Sequence, residues 1–183
     1  MLIPDFLKST VIFAAAAVAT VSFAQTMTSS EHSAAKTAIK ADYKVDKAAC
    51  SSSKANAKDI CNEQAKGKEK VALAELEFKR TNTYSNGNKV AVAKANSTYE
   101  VAKEVCDDKS GEAKTLCRTE AKSAHTKSIA ESKMDKKIGE AKVDEKQDIN
   151  TADYKVAIEK CEVLGSDAKT ACVASAKTKY GKN

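Results

Sequence analysis

The chain has no Trp, one Pro and two His, and aromatic residues make up only 5% of its 183 positions. So few rings leave little with which to line a deep apolar pocket. The single Pro is Pro4, so the strongest helix breaker is missing from everything that follows it. With only His32 and His125, bases for proton transfer and ligands for a metal are scarce. Neither His shares an offset with a repeated feature, and both are expected on solvated polar faces. No Cys-x2-Cys occurs, which excludes the thioredoxin-type redox motif, and no Cys-x2-Cys-His, which excludes covalent haem attachment. The six Gly form no phosphate-cradling loop. The chain therefore reads as non-enzymatic, with no catalytic residue, cofactor or metal site expected.

Large apolar side chains are also scarce. From residue 25 onward, Ile, Leu, Val and Phe together number 21 of 159 residues. That falls below the roughly 20% at which chains lose the means to bury a core. What is abundant is Ala, Lys, Glu and Asp, all but Asp good helix formers. Lys and Arg number 31 against 25 Asp and Glu, for a formal net charge of +6. Both signs are interspersed, which reads as a solvated helix surface rather than a nucleic-acid footprint.

The N-terminus reads as a cleaved secretion signal over residues 1–24. Lys8 gives the positive start, Val11 to Val21 the apolar run, and Ser22-Phe23-Ala24 small residues at the −3 and −1 positions. The run is shorter than the roughly 20 residues of a membrane span, so no stable span is expected once it is removed. All six Cys lie beyond it, and an even count in an exported, core-poor chain is the signature of disulfides.

The rest of the chain is one unit written three times. Tyr43, Tyr99 and Tyr154 each precede a Val by two residues (Val45, Val101, Val156) and a Cys by seven (Cys50, Cys106, Cys161). A second Cys follows eleven later: Cys61, Cys117 and Cys172. Ala57-Lys58, Ala113-Lys114 and Ala168-Lys169 hold one offset between the cysteines, and Ala65-Lys66, Ala121-Lys122 and Ala176-Lys177 another beyond them. Such self-similarity marks a repeat architecture.

Seven residues at 100° each return to nearly the same direction, so Tyr and the first Cys share a helix face. In an unbroken helix the two Cys of a unit would stand about 16 Å apart, beyond the roughly 7 Å that a disulfide spans. Either the bridge joins two chains or the chain turns between the cysteines. Ser51-Ser52-Ser53, Asp107 to Gly111 and Gly165-Ser166-Asp167 are breaker and cap residues, which favours the turn. Each unit is then a helical hairpin stapled at its mouth: Cys50–Cys61, Cys106–Cys117 and Cys161–Cys172. The Tyr is expected to pack over its own disulfide and the returning helix.

The expected fold is all-α: an elongated, coiled-coil-like array of three stapled hairpins with a narrow, Ala-rich seam. Helices are expected at about residues 30–50, 57–79, 89–107, 112–161 and 168–179, from capping and breaker signals. Unit one spans 25–80, a loop 81–88 carrying Asn86-Gly87, unit two 89–140 and unit three 141–183. No comparable break separates units two and three, so 112–161 reads as one long helix, weakened at Gly139. Ile149, Val156 and Val163 recur along it every seven residues.

Four stretches carry a resemblance: Ala41-Asp42-Tyr43-Lys44 leading to Cys50, Asn56-Ala57-Lys58-Asp59-Ile60-Cys61, Ala65 to Ala72, and Tyr99 to Cys106. Together with the signal, they resemble small exported proteins of Gram-negative, particularly betaproteobacterial, genomes, often labelled TolA-like cell-envelope biogenesis proteins. The resemblance spans about residues 36–179 and implies the periplasm. The function expected is a helical scaffold or interaction protein of the envelope, with envelope proteins or polyanions as partners, self-association allowed, and no nucleic acid. The alternative is a periplasmic holdase-type chaperone or stress protein.

Overall fold

The computed structural model describes residues 27–182. The secretion signal expected over residues 1–24 lies outside them. Five helices follow one another: α1 Ser29–Ala49, α2 Asn56–Thr81, α3 Tyr84–Asp107, α4 Gly111–Glu162 and α5 Ser166–Tyr180. Among the described residues there is no strand. Each helix, among the described residues, packs on its neighbours in sequence and on no other helix. The fold is an all-α serial array of hairpins rather than a closed bundle.

Local chemistry sets the boundaries. Thr28 caps α1 reciprocally: its hydroxyl accepts from Glu31 N–H while the Glu31 carboxylate accepts from Thr28 N–H. Those bonds to Thr28 hold the Glu31 carboxyl below its ordinary range. Between α1 and α2 the chain turns through a 3-10 segment, Cys50–Ser52. Ala55 then adopts φ 48° and ψ −141°, a conformation that L residues avoid. Its counterpart 56 residues on is Gly111, at φ 57°, where glycine takes the left-handed side freely.

The three disulfides join the pairs that the spacing predicts, each with Cα atoms 5.6 Å apart. Among the described residues no cysteine is free. Three bridges with no free thiol place the folded chain in an oxidising compartment. The first cysteine of each pair is nearly sealed, at 1% exposure for Cys50, Cys106 and Cys161. The other buried side chains are small or few: Ala65, Ala176, Ser132 and Leu76. The seam is as thin as the composition implies, and Ala65 and Ala176 are the repeated Ala four residues past the second Cys.

The loop expected at 81–88 is shorter than its residues suggest. Asn82 takes the left-handed conformation, with its N–H on the Phe78 carbonyl, and Thr83 caps α3 by accepting from Asn86 N–H. The turn is therefore made by Asn82-Thr83. Asn86-Gly87 lies inside the first turn of α3, where a Cβ on Gly87 would meet the Phe78 ring at 3.3 Å.

α4 is continuous over 52 residues, about 78 Å at 1.5 Å per residue. Gly139 does not break it, and the Tyr84 ring lies where a Cβ at that position would stand. The stretch ahead of Gly139 packs on α3 and the stretch from Asn150 onward on α5. Between them, residues 140–149 are exposed on every side, so α4 crosses there as a single helix.

Candidate functional site: the groove between α3 and α4

α3 and α4 face each other with alanines: Ala91, Ala95 and Ala102 on one side, Ala121 and Ala124 on the other. Small side chains bring the helices close and leave a groove of about 460 Å³ above the seam. A second depression of about 490 Å³ runs on from it, sharing Ala91, Ser132 and Asp135 and ending at Phe78, Tyr84 and Gly87. The two make one trough along the α3–α4 seam, closed at one end by the Tyr84–Gly139 contact.

Its polar groups are largely satisfied from within. Asn88 Nδ2 donates to Ser132 Oγ at 3.0 Å, and Ser132 Oγ donates to the Ile129 carbonyl at 3.1 Å. His125 Nε2 donates to Asn96 Oδ1 at 2.7 Å, and its ring stacks on Tyr99 with centroids 4.7 Å apart. The Lys103 ammonium stands 5.3 Å from the Tyr99 ring centroid on the same helix, a cation–π contact. The rim carries Lys94, Glu131 and Asp135. Such a trough can hold a flat or apolar group between the Tyr99–His125 stack and Phe78. It offers no nucleophile hydrogen-bonded to His125. Among the described residues, no group of three or more His, Cys, Asp or Glu stands together.

His125 is therefore not the solvated residue expected from the sequence. It is half-buried and stacked, and it does follow the repeat. Counted eight residues beyond the second Cys of each unit, Glu69, His125 and Tyr180 occupy one position. Tyr154 meets Tyr180 edge-on at 6.1 Å as Tyr99 meets His125, and Tyr43 shares a small cleft with Glu69 and Ala72. The shared offset from the second Cys is the sequence signal that marks this pairing. His32 departs from expectation likewise: its Nε2 donates to Glu77 Oε1 at 2.6 Å, tying α1 to α2. The Arg80 guanidinium, then His32, hold the Glu77 carboxyl below its usual range.

The three tyrosines do pack on the returning helix, but not over their disulfides. Two helical turns separate each ring from its first Cys, about 10 Å along the axis. The valines divide. Val45 is 68% and Val156 50% exposed, whereas Val101 is half-buried. Val101 lies between Ser97 and Glu104, both of which touch α2.

At the hairpin mouths a second repeated feature appears. Asp107, next to Cys106, accepts from Arg118 at 2.5 Å and pairs with Lys114 at 3.2 Å. Glu162, next to Cys161, pairs with Lys169 at 2.5 Å. Lys114 and Lys169 are the repeated Lys between the cysteines; unit one has Ser51 where the acid would stand. No family model matches the chain, and no curated protein and no solved structure is found to match it.

Proposed function

We propose that the protein is a non-enzymatic helical scaffold or interaction protein of the bacterial envelope, exported to the periplasm. The observation that carries this reading is α4: a helix about 78 Å long, bare on all sides at its middle and holding a packed hairpin assembly at each end. A chain built to enclose a substrate would spend that length on a closed core. The signal predicted at residues 1–24, the three disulfides and the TolA-like resemblance of the repeats support the compartment. No helix among the described residues is long and apolar enough to cross a membrane. The α3–α4 trough, with aromatic rings and a rim of mixed charge, is where an aromatic segment of an envelope protein would lie.

Small-angle scattering on the oxidised protein tests the reading. A compact globule of this size has a radius of gyration of about 15 Å. An array carrying α4 should instead show a maximum dimension of at least about 80 Å. A compact profile would overturn the proposal.

A holdase-type chaperone is the second reading. Among the described residues twelve large apolar side chains are exposed, among them Leu116, Met134 and Ile138, and Phe78 and Tyr84 line the trough. Suppression of client aggregation by the oxidised protein would favour it. Unchanged light scattering at molar excess would remove it.

A further inference from the structure

The link between units one and two is built differently from the link between units two and three. Between α2 and α3 the chain turns at Asn82-Thr83, and the two helices pack antiparallel. By cysteine offsets, α2 corresponds to the first half of α4 (Cys61 to Cys117) and α3 to the second half (Cys106 to Cys161). α4 thus carries, end to end, the counterparts of two helices that pack on each other elsewhere in the chain. With no turn between them, these halves cannot fold back together.

Their counterpart faces are accordingly bare. Val101 is half-buried under α2, while its counterpart Val156 is 50% exposed. Phe78 lies over Gly87, while its counterpart Met134 is 55% exposed. The closest approach of α2 to α3 is Gly67 on Ser97, where an added Cβ would stand 1.8 Å from Ser97 Oγ. The counterparts, Ser123 and Ala152, are again small, and both are exposed. At 100° per residue, Ser123, Met134, Ile138, Ile149, Ala152 and Val156 fall within about 80° of one another. Tyr154 and Cys161, which face α5, lie on the opposite side.

We propose that two copies of this chain pair through this face, α4 against α4 and antiparallel, in a closed two-fold dimer. The first half of each α4 covers the second half of the other, so the α2–α3 packing recurs twice. It is the association expected when a hinge straightens and an internal contact is exchanged between copies. Transferring the Gly67–Ser97 register sets Ser123 opposite Ala152 of the second copy and puts the axis beside Ile138. There Lys127 meets Asp148 of the second copy. Glu131 meets both Lys142 and Glu145, so the charge at that point is mixed. This pairing is independent of the scaffold reading, since an extended scaffold can be monomeric and a dimer need not be one.

Sedimentation equilibrium on the oxidised protein recovered from an exporting host tests it. A dimer mass is expected; a monomer at every concentration up to about 1 mM, or a mass that grows without limit, overturns the proposal. Ser123→Phe and Ala152→Phe should each weaken association at least about tenfold with helicity unchanged, because both sites are exposed in the single chain. Val143→Phe, elsewhere on α4, should leave it intact. If the first two dimerise normally, or all three weaken it equally, the face is wrong. Spin labels fix the direction. Labels at Ile138 should lie about 10 Å apart and labels at Leu116 about 65 Å apart. Both pairs near 10 Å would mean parallel helices and would overturn the two-fold arrangement.

Discussion

Asp107 lies beside the nearly sealed Cys106 and faces Arg118 and Lys114 across the mouth of the second hairpin. The Arg118 guanidinium, then the Lys114 ammonium, hold its carboxyl below the ordinary aspartate range. A carboxylate whose pKa is depressed on folding stabilises the fold above its unfolded value and loses that contribution as pH falls through the folded one. The melting temperature should therefore be higher for the wild type than for Asp107→Asn at neutral pH. The gap should close as pH drops below about 4 and shrink with added salt. Thermal melts across that range check it. A gap that persists at pH of about 2 would mean that Asp107 acts through something other than its charge.

Among the helices, the two buried glycines make different demands. A Cβ on Gly67 would meet Ser97 Oγ at 1.8 Å and Ser97 Cβ at 2.7 Å, so rotating the hydroxyl does not relieve it and α2 must move away from α3. Overpacking of this kind costs about 1–3 kcal/mol, more than the ~1 kcal/mol that Ala gains over Gly in a helix. At Gly139 the obstacle is the ring of Tyr84, whose side chain is already 49% exposed at the start of α3 and can swing outward. Gly67→Ala should therefore lower stability by about 1–2 kcal/mol, while Gly139→Ala should be near neutral with a more exposed Tyr84. Denaturant melts and tyrosine fluorescence separate the two. Equal losses at both sites would refute the distinction.

For the molecule as a whole, the staples outweigh the core. Each disulfide closes a loop of 12 residues, about 2.8 kcal/mol in the loop-entropy picture, so three contribute on the order of 8 kcal/mol. That equals the net stability of many domains. α1 and α5 each rest on a single helix, and α5, with 15 residues against 21, is the shorter of the two, so it has the least besides its bridge to hold it. Full reduction should bring a large loss of helical circular dichroism, and replacing Cys161 and Cys172 by Ser should first release α5 from α4. Hydrogen exchange would show that as fast exchange over 166–180. A reduced protein that melts unchanged would mean that the Ala seam suffices by itself.

Much of this was written in local spacing. The absence of Pro beyond residue 4, the breaker residues between cysteines and the interval of eleven determined the helices, the turns and the pairing of all six Cys. These depend on residues close in the chain, where 100° per residue and disulfide reach decide the outcome. The three-dimensional packing decided what spacing alone leaves open. It put the turn at Asn82-Thr83, because Asn82 accepts the left-handed conformation and Thr83 can cap, leaving Asn86-Gly87 free to join α3 under Phe78. It drew His32 and His125 off the solvated faces, because each meets a partner 45 or 29 residues away in sequence. It separated Val101 from Val45 and Val156, which are identical in their local motif, because α2 packs over the face of α3 that carries Val101 while the corresponding faces of α1 and α4 are exposed.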